Sequence, residues 1–171
     1  MFDKFGEFDS VEELNQAAAG FKAEGDLESL YALAQENGID KEDAEDYADD
    51  VVEELANTSL AAMGKLKMEG TVLKIAGILT DWQEEITKLC IEDEEMARAV
   101  RKKGKTLCGC MAKLLRFAFE NKEQVSDEVV KATKVTHNGK EEQMRGPVYL
   151  GMPNRAQVRK LVKEYYQEAQ G

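Results

Sequence analysis

The chain has 171 residues, 43% hydrophobic and 33% charged with two prolines, a composition that supports a buried core and favours helices over β-sandwiches or disorder. No apolar run approaches the roughly 18 residues of a membrane span, the acidic opening MFDKFGEFDS lacks the apolar stretch of a secretory leader, and the odd set Cys90, Cys108 and Cys110 argues against a disulfide framework and for a reducing cytoplasm. The net charge of −11 is unevenly divided: 18 acidic against 3 basic residues up to Asn57, then 16 against 20, a pattern that suggests separate jobs or an acidic surface aimed at a basic partner.

Ser10-Val-Glu-Glu13 has the form of a capping box, in which serine and glutamate each satisfy an orphan backbone N–H, and it predicts a helix over 10–23. Gly25 ends that helix and Asp26 caps the next, whose apolar stripe is Leu27, Leu30, Tyr31 and Ala34. Gly38 suits the left-handed residue that closes a helix, and Asp40 caps a third helix over 41–49 that continues or kinks through 51–55. Asn57-Thr58-Ser59 reads as a junction and a new cap, followed by Leu60, Met63, Leu66 and Met68 and then Gly70. A largely buried helix is expected over 72–90, and a further helical stretch over 91–103 that stops at Gly104. Thr106 caps a helix to about 121 with Leu107, Met111, Leu114, Leu115, Ala118 and Phe119 inward, and Ser126 opens a shorter one. Asn138-Gly139, Gly146-Pro147 and Met152-Pro153 break the helical pattern and predict a loop or small hairpin. The last helix, over 155–169, turns Val158, Leu161, Val162 and Tyr165 inward and leaves Arg155, Arg159, Lys160 and Lys163 for solvent or a partner. The expected fold is all-α: an acidic three-helix module over 1–57 and a larger helical domain over 58–171, with a short hairpin near 135–152.

LYALAQENGIDKEDAEDYADD, residues 30–50, has the skeleton of a helix-turn-helix. Ala34 is the small residue of the first helix, Gly38 makes the turn, and Ile39, Ala44 and Tyr47 hold the pair together; Asn37 departs, since an apolar residue is usual there. The groove-facing positions are Asp40, Lys41, Glu42, Asp43, Glu45, Asp46 and Asp49, six of seven acidic. DNA binding relies on Lys and Arg at the phosphates, and each like-charge pair at about 7 Å costs ~0.6 kcal/mol in water and more where water is excluded. The segment is therefore not expected to read DNA. Two readings stand: a plain solvated face, or a rod of negative charge that occupies a basic groove built for a phosphate backbone. On the second, the contact surface is Glu42, Asp43, Glu45, Asp46, Asp49, Asp50, Glu53 and Glu54.

The remaining motifs are weaker. Residues 40–50 lack calcium-loop spacing, and Cys90, Cys108, Cys110 and His137 match no zinc ribbon or finger, so buried thiols are expected and no metal or cofactor. Gly104-Lys105-Thr106 lacks the earlier glycine of a phosphate loop, because Ala99 stands there. The basic run Arg98, Arg101, Lys102, Lys103 and Lys105 precedes a helix N-terminus, where backbone N–H groups favour anions. It is a candidate contact for DNA, RNA or another anion, for acidic surface in the same chain or a second copy, or a solvated turn with internal ion pairs. His137 is the lone histidine and no nucleophile motif accompanies it, so no enzyme is expected.

Two stretches resemble proteins carried by plasmids, prophages and integrative elements of Gram-positive gut bacteria. FDSVEELNQAAAGFKAEGDLESLYALAQENGIDKEDAEDYADD looks like the acidic opening module of small proteins on those elements. KKGKTLCGCMAKLLRFAFEN, with Lys-Thr-Leu-x-Gly-Cys before an apolar helix, is similar to the core of the PcfK-like family. That family includes inhibitors of the type II CRISPR nuclease and conjugation-associated proteins. Its His-Tyr-Tyr and acidic ending is absent, Tyr165-Tyr166 lying in a basic helix, and no functional residues carry over. The resemblance implies a protein of the bacterial host cytoplasm whose partner is a CRISPR effector nuclease or another basic nucleic-acid-binding protein. Such a nuclease holds guide and target in positively charged channels, which an acidic protein can block by standing in for phosphates. The alternatives are a DNA-binding accessory of element transfer that uses the basic run, and an oligomeric scaffold in which acidic and basic halves of neighbouring chains meet.

Overall fold

Each of the first helices begins and ends on chemistry written in its sequence. The structure, a computed structural model, describes residues 2–168, so Ala169 at the end of the expected last helix lies outside the described residues. Ser10 Oγ accepts from Glu13 N–H to open α1 (Val11–Glu24), while the Glu13 carboxylate reaches past Ser10 to the N–H of Asp9. Asp26 caps α2 (Leu27–Glu36) through the N–H of Ser29. Asp40 occupies the N-cap position of α3 (Lys41–Ala48) but makes no side-chain cap; its carboxylate binds Lys67 at 2.8 Å.

The C-terminal half runs α4 (Thr58–Leu73), α5 (Ile78–Glu92), α6 (Glu94–Arg101), α7 (Leu107–Glu120), α8 (Asp127–Ala132) and α9 (Arg155–Gln167). The helix expected over 72–90 begins only at Ile78: Val72 and Leu73 complete α4, and a turn through Lys74 and Gly77, both at positive φ, follows. The stretch expected over 91–103 is broken at Asp93, which caps α6 through the N–H of Met96. Leu115 and Phe119, expected inward on α7, are 48% and 65% exposed, because the face that packs carries Leu107, Cys110, Met111, Leu114 and Ala118. The insertion is a hairpin of β2 (Lys134–His137) and β3 (Lys140–Gln143) around Asn138-Gly139, whose paired positive φ values suit a tight hairpin turn. A second small pairing, β1 (Glu123–Gln124) with β4 (Tyr149–Leu150), ties the chain across it.

Two apolar cores form, one in each half. Leu14, Leu30, Leu33, Ile39, Ala44 and Tyr47 centre the first; Leu66, Ile86, Met96, Leu107, Leu114 and Val162 centre the second. α4 is a wall of both, giving Ala61 to the first and Ala62 and Leu66 to the second. Its Gly64 lies against the turn at Gly38: a Cβ on Gly64 would sit 2.2 Å from the Asn37 carbonyl oxygen, and one on Gly38 would sit 2.4 Å from the Gly64 carbonyl oxygen. Among the described residues, no helix is long and apolar enough to cross a membrane.

Candidate functional site

The acidic face is built on the α2–α3 pair. Ala44 and Tyr47 are buried, which turns Glu42, Glu45, Asp46 and Asp49 to the other side of α3. The helix stops where the N–H of Val51 folds back to the carbonyl of Asp46 and that of Asp50 to Tyr47, with Asp50 left-handed at φ 59°. The continuation expected through 51–55 is therefore an irregular loop. Lys22 holds it, pairing with Asp50 at 2.6 Å, donating to the Tyr47 carbonyl and lying over the Tyr47 ring. At its far end Leu55 and Ala56 are buried, and Asn15 makes two hydrogen bonds to the Ala56 backbone, at 2.8 and 3.1 Å. Between these anchors Val51 and Val52 are 67% and 42% exposed, flanked by Asp49 and Asp50 on one side and Glu53 and Glu54 on the other.

Of the eight acidic candidates, Glu45 is paired with Lys41 and Asp50 with Lys22. Glu42, Asp43, Asp46, Asp49, Glu53 and Glu54 have no side-chain partner among the described residues, and all but the half-buried Asp43 are exposed. The chain's own lysines and arginines thus leave most of this charge uncompensated.

The basic run has a different fate. Arg98 reaches Glu12 at 3.1 Å and Glu94 at 2.8 Å. Arg101 is 1% exposed; its Nη2 donates to Asn37 Oδ1 at 2.8 Å, and burial pulls its guanidinium below the ordinary value. Lys105 is buried and donates to the carbonyls of Tyr165 and Glu168. Only Lys102 and Lys103 of the run keep exposed head groups without a partner among the described residues. Three N–H groups at the N-terminus of α7, which follows the run, are already taken: Tyr165 Oη accepts from Thr106 N–H, Glu69 from Leu107 N–H, and Thr106 Oγ1 from Gly109 N–H.

Behind this run lies a buried polar group that the sequence reading missed. Lys65, 1% exposed, pairs with Glu7 at 2.6 Å and donates to the Lys102 carbonyl at 2.9 Å. Glu69, one turn on, is buried too, and burial raises its carboxyl above the ordinary range. The available signal was Asn37, polar where the helical pair wants an apolar residue, and the charges at two core-facing positions of α4. Burial also pushes the Cys90 and Cys110 thiols up to about 12, while Cys108 is exposed and His137 lies in the hairpin. Among the described residues no three His, Cys, Asp or Glu side chains are grouped to hold a metal ion. Compared with known proteins, the chain matches no family model, no curated protein and no solved structure.

Proposed function

We propose that this is a non-enzymatic inhibitor of a host CRISPR effector nuclease, encoded by a mobile element or phage, which docks through an acidic, nucleic-acid-mimicking surface. One observation carries the reading: six carboxylates without internal partners among the described residues lie on α3 and on the loop after it, which is pinned at both ends and exposes Val51 and Val52. Two adjacent exposed valines beside acidic side chains match the mixture of apolar contact and charged rim that protein interfaces use. Like charges held together also repel, and a basic partner relieves that cost and gains rate from electrostatic steering.

The alternative, a DNA-gripping accessory of element transfer, has Lys102 and Lys103 to offer from the run. Two phosphate contacts give a log–log salt slope on the order of −2, well below that of proteins making six to ten contacts.

The test is inhibition of target DNA cleavage by the host nuclease, with pull-down from a CRISPR-bearing host to find it. Reversing Glu42, Asp43, Asp46, Asp49, Glu53 and Glu54 to lysine is expected to abolish inhibition and leave helical content and cooperative unfolding intact. A reversed protein that still inhibits would end the mimicry reading.

A further inference from the structure

We infer that the groove between α2 and α3 is the docking site for a cationic amphipathic helix of the partner protein. The inference rests on the reading above that this module meets a basic protein, and it names the segment and the place. The groove encloses about 560 Å³, within the ~300–1,000 Å³ of ordinary ligand sites. Its apolar lining is Tyr31, Ala32 and Ala34 of α2, Ile39 of the connecting turn and Ala44 of α3. Ala34, Ile39 and Ala44 are buried, while Tyr31 and Ala32 are half-buried. Small side chains at Ala32, Ala34 and Ala44 leave space between the two helices. A third helix fills such space with the side chains it presents in a row at i, i+3 or i+4, and i+7.

Charge selects the occupant. Residues 27–50 carry nine acidic side chains and one lysine, a net charge of −8. At the groove itself Lys41 is held by Glu45 at 2.7 Å and Asp40 by Lys67 at 2.8 Å, so those charges are matched. Glu28, which also lines it, is exposed and has no side-chain partner among the described residues. Glu42, Asp43 and Asp46, equally unpartnered, continue the negative charge along α3. A purely apolar peptide leaves these carboxylates unanswered, and a nucleic acid sets phosphates against them. A helix with leucine-type residues on one face and lysine or arginine beside them answers both the groove and its charge. A second copy of this chain does not supply that helix from its basic α9: Arg155 and Arg159 are paired with Glu85 and Lys163 with Asp93, while Val158 and Val162 are buried in the second core.

The experiment titrates the full chain with a labelled peptide of about 15 residues, leucine at i, i+3, i+4 and i+7 and lysine elsewhere, and with a scrambled peptide of the same composition. Fluorescence anisotropy gives the affinity, and the amide resonances of Ala32, Gln35 and Ala44 give the place. Saturable binding that shifts these amides is expected, with the scrambled peptide roughly tenfold weaker or more, because its charge is equal but its apolar face is gone. Ala32→Trp fills the groove and Glu28→Lys reverses its uncommitted charge; Glu28 is exposed, so the second variant spares folding where the first need not. Each is expected to weaken the patterned peptide roughly tenfold. Equal affinity for the two peptides, shifts confined to other residues, or both variants binding as the parent does would overturn the inference. The cleavage assay separates the two readings. If the groove variants inhibit as the parent does and the six-residue reversal does not, the acidic face stands and the groove is removed. If the reversal still inhibits and the groove variants do not, the mimicry reading ends and the groove stands.

Discussion

Arg101 Nη2 donates to Asn37 Oδ1 at 2.8 Å, with both side chains buried, and this hydrogen bond joins the acidic module to the larger helical half. Asn37 Nδ2 donates in turn to the Leu33 carbonyl at 2.9 Å, so its amide is held in the orientation that faces the guanidinium. Asn37→Leu supplies the apolar residue usual in such a helical pair but strips a buried cation of its acceptor, and is expected to cost about 3 kcal/mol. Arg101→Met in the same chain removes the orphaned charge, so the double variant should lose clearly less than the two single losses added. Urea unfolding of the four proteins measures the coupling. Additive losses would mean that the two residues act independently.

Gly64 and Gly38 let the two halves touch backbone to backbone. Gly64→Ala places a methyl group 2.2 Å from the Asn37 carbonyl oxygen, where no flexible side chain can give way. The expected loss is about 2–3 kcal/mol, at the upper end for overpacking, read as a lower urea midpoint. At Gly20, on α1, a Cβ meets nothing within 4 Å, and Gly20→Ala should stabilise by several tenths of a kcal/mol. If Gly64→Ala unfolds at the parent's midpoint, the close approach of α4 to the Asn37-Gly38 turn is not real.

Much of this architecture was legible in the sequence, and its misreadings share a cause. Ser10, Asp26, Asn57 and Thr106 announced four helix starts because each has a side-chain oxygen that takes a first-turn N–H. Gly25 and Gly38 announced two helix ends. The ends of α3 and α4 use the same fold-back of backbone N–H groups, but with Asp50 and Lys74 in the left-handed position, where glycine is the usual signal. Hence one helix was carried too far and another begun too early. The acidic residues were found from charge alone. That the basic run would turn inward was not legible, because its acceptors are Asn37 and the Tyr165 and Glu168 carbonyls, 60 or more positions away.

Lys74 closes α4 at φ 51°, which costs an L-residue energy that glycine does not pay. No side-chain partner among the described residues offsets it. Lys74→Gly should therefore stabilise by about 0.5–1 kcal/mol, read as a higher urea midpoint. Asp50→Gly relieves the same strain in α3 but releases Lys22, so its gain should be smaller. Equal gains would show that the Lys22 contact contributes nothing to holding the acidic loop.

Asp93 sets part of the acid limb of stability. The Lys163 ammonium at 3.0 Å, and then the N–H of Met96, hold its carboxyl below the ordinary range. The folded chain thus takes up this proton less readily than the unfolded one. The contribution is complete above the ordinary aspartate value of about 3.9 and is lost as pH falls through the lower folded value. Asp93→Asn keeps an N-cap acceptor for α6 and removes the charge. It should cost under about 1 kcal/mol at pH 7, since the pair is partly exposed, and should flatten the fall in stability below pH 4. Glu69 works the other way: burial raises its carboxyl, so its contribution favours folding at low pH and is lost as pH rises through the raised value. Glu69→Gln keeps an acceptor for Leu107 N–H and should remove that decline. Unchanged profiles in both variants would rule out these two groups.

The three thiols should separate by accessibility alone. Cys90 and Cys110 lie in the second core, and burial raises both to about 12, so at pH 8 neither has a useful thiolate population nor a path for a reagent. Cys108 follows the Thr106 cap by two residues on the outer side of α7 and is exposed. A chromogenic disulfide reagent should therefore titrate one thiol per chain in the folded protein and three in urea, with Cys108→Ser abolishing the fast phase. The slow reaction of the other two reports opening of the core around α5, α7 and α9, so Gly64→Ala, which strains the wall shared by both cores, should quicken it. Rapid reaction of two or three thiols in the folded parent would mean that Cys90 and Cys110 are not enclosed as described.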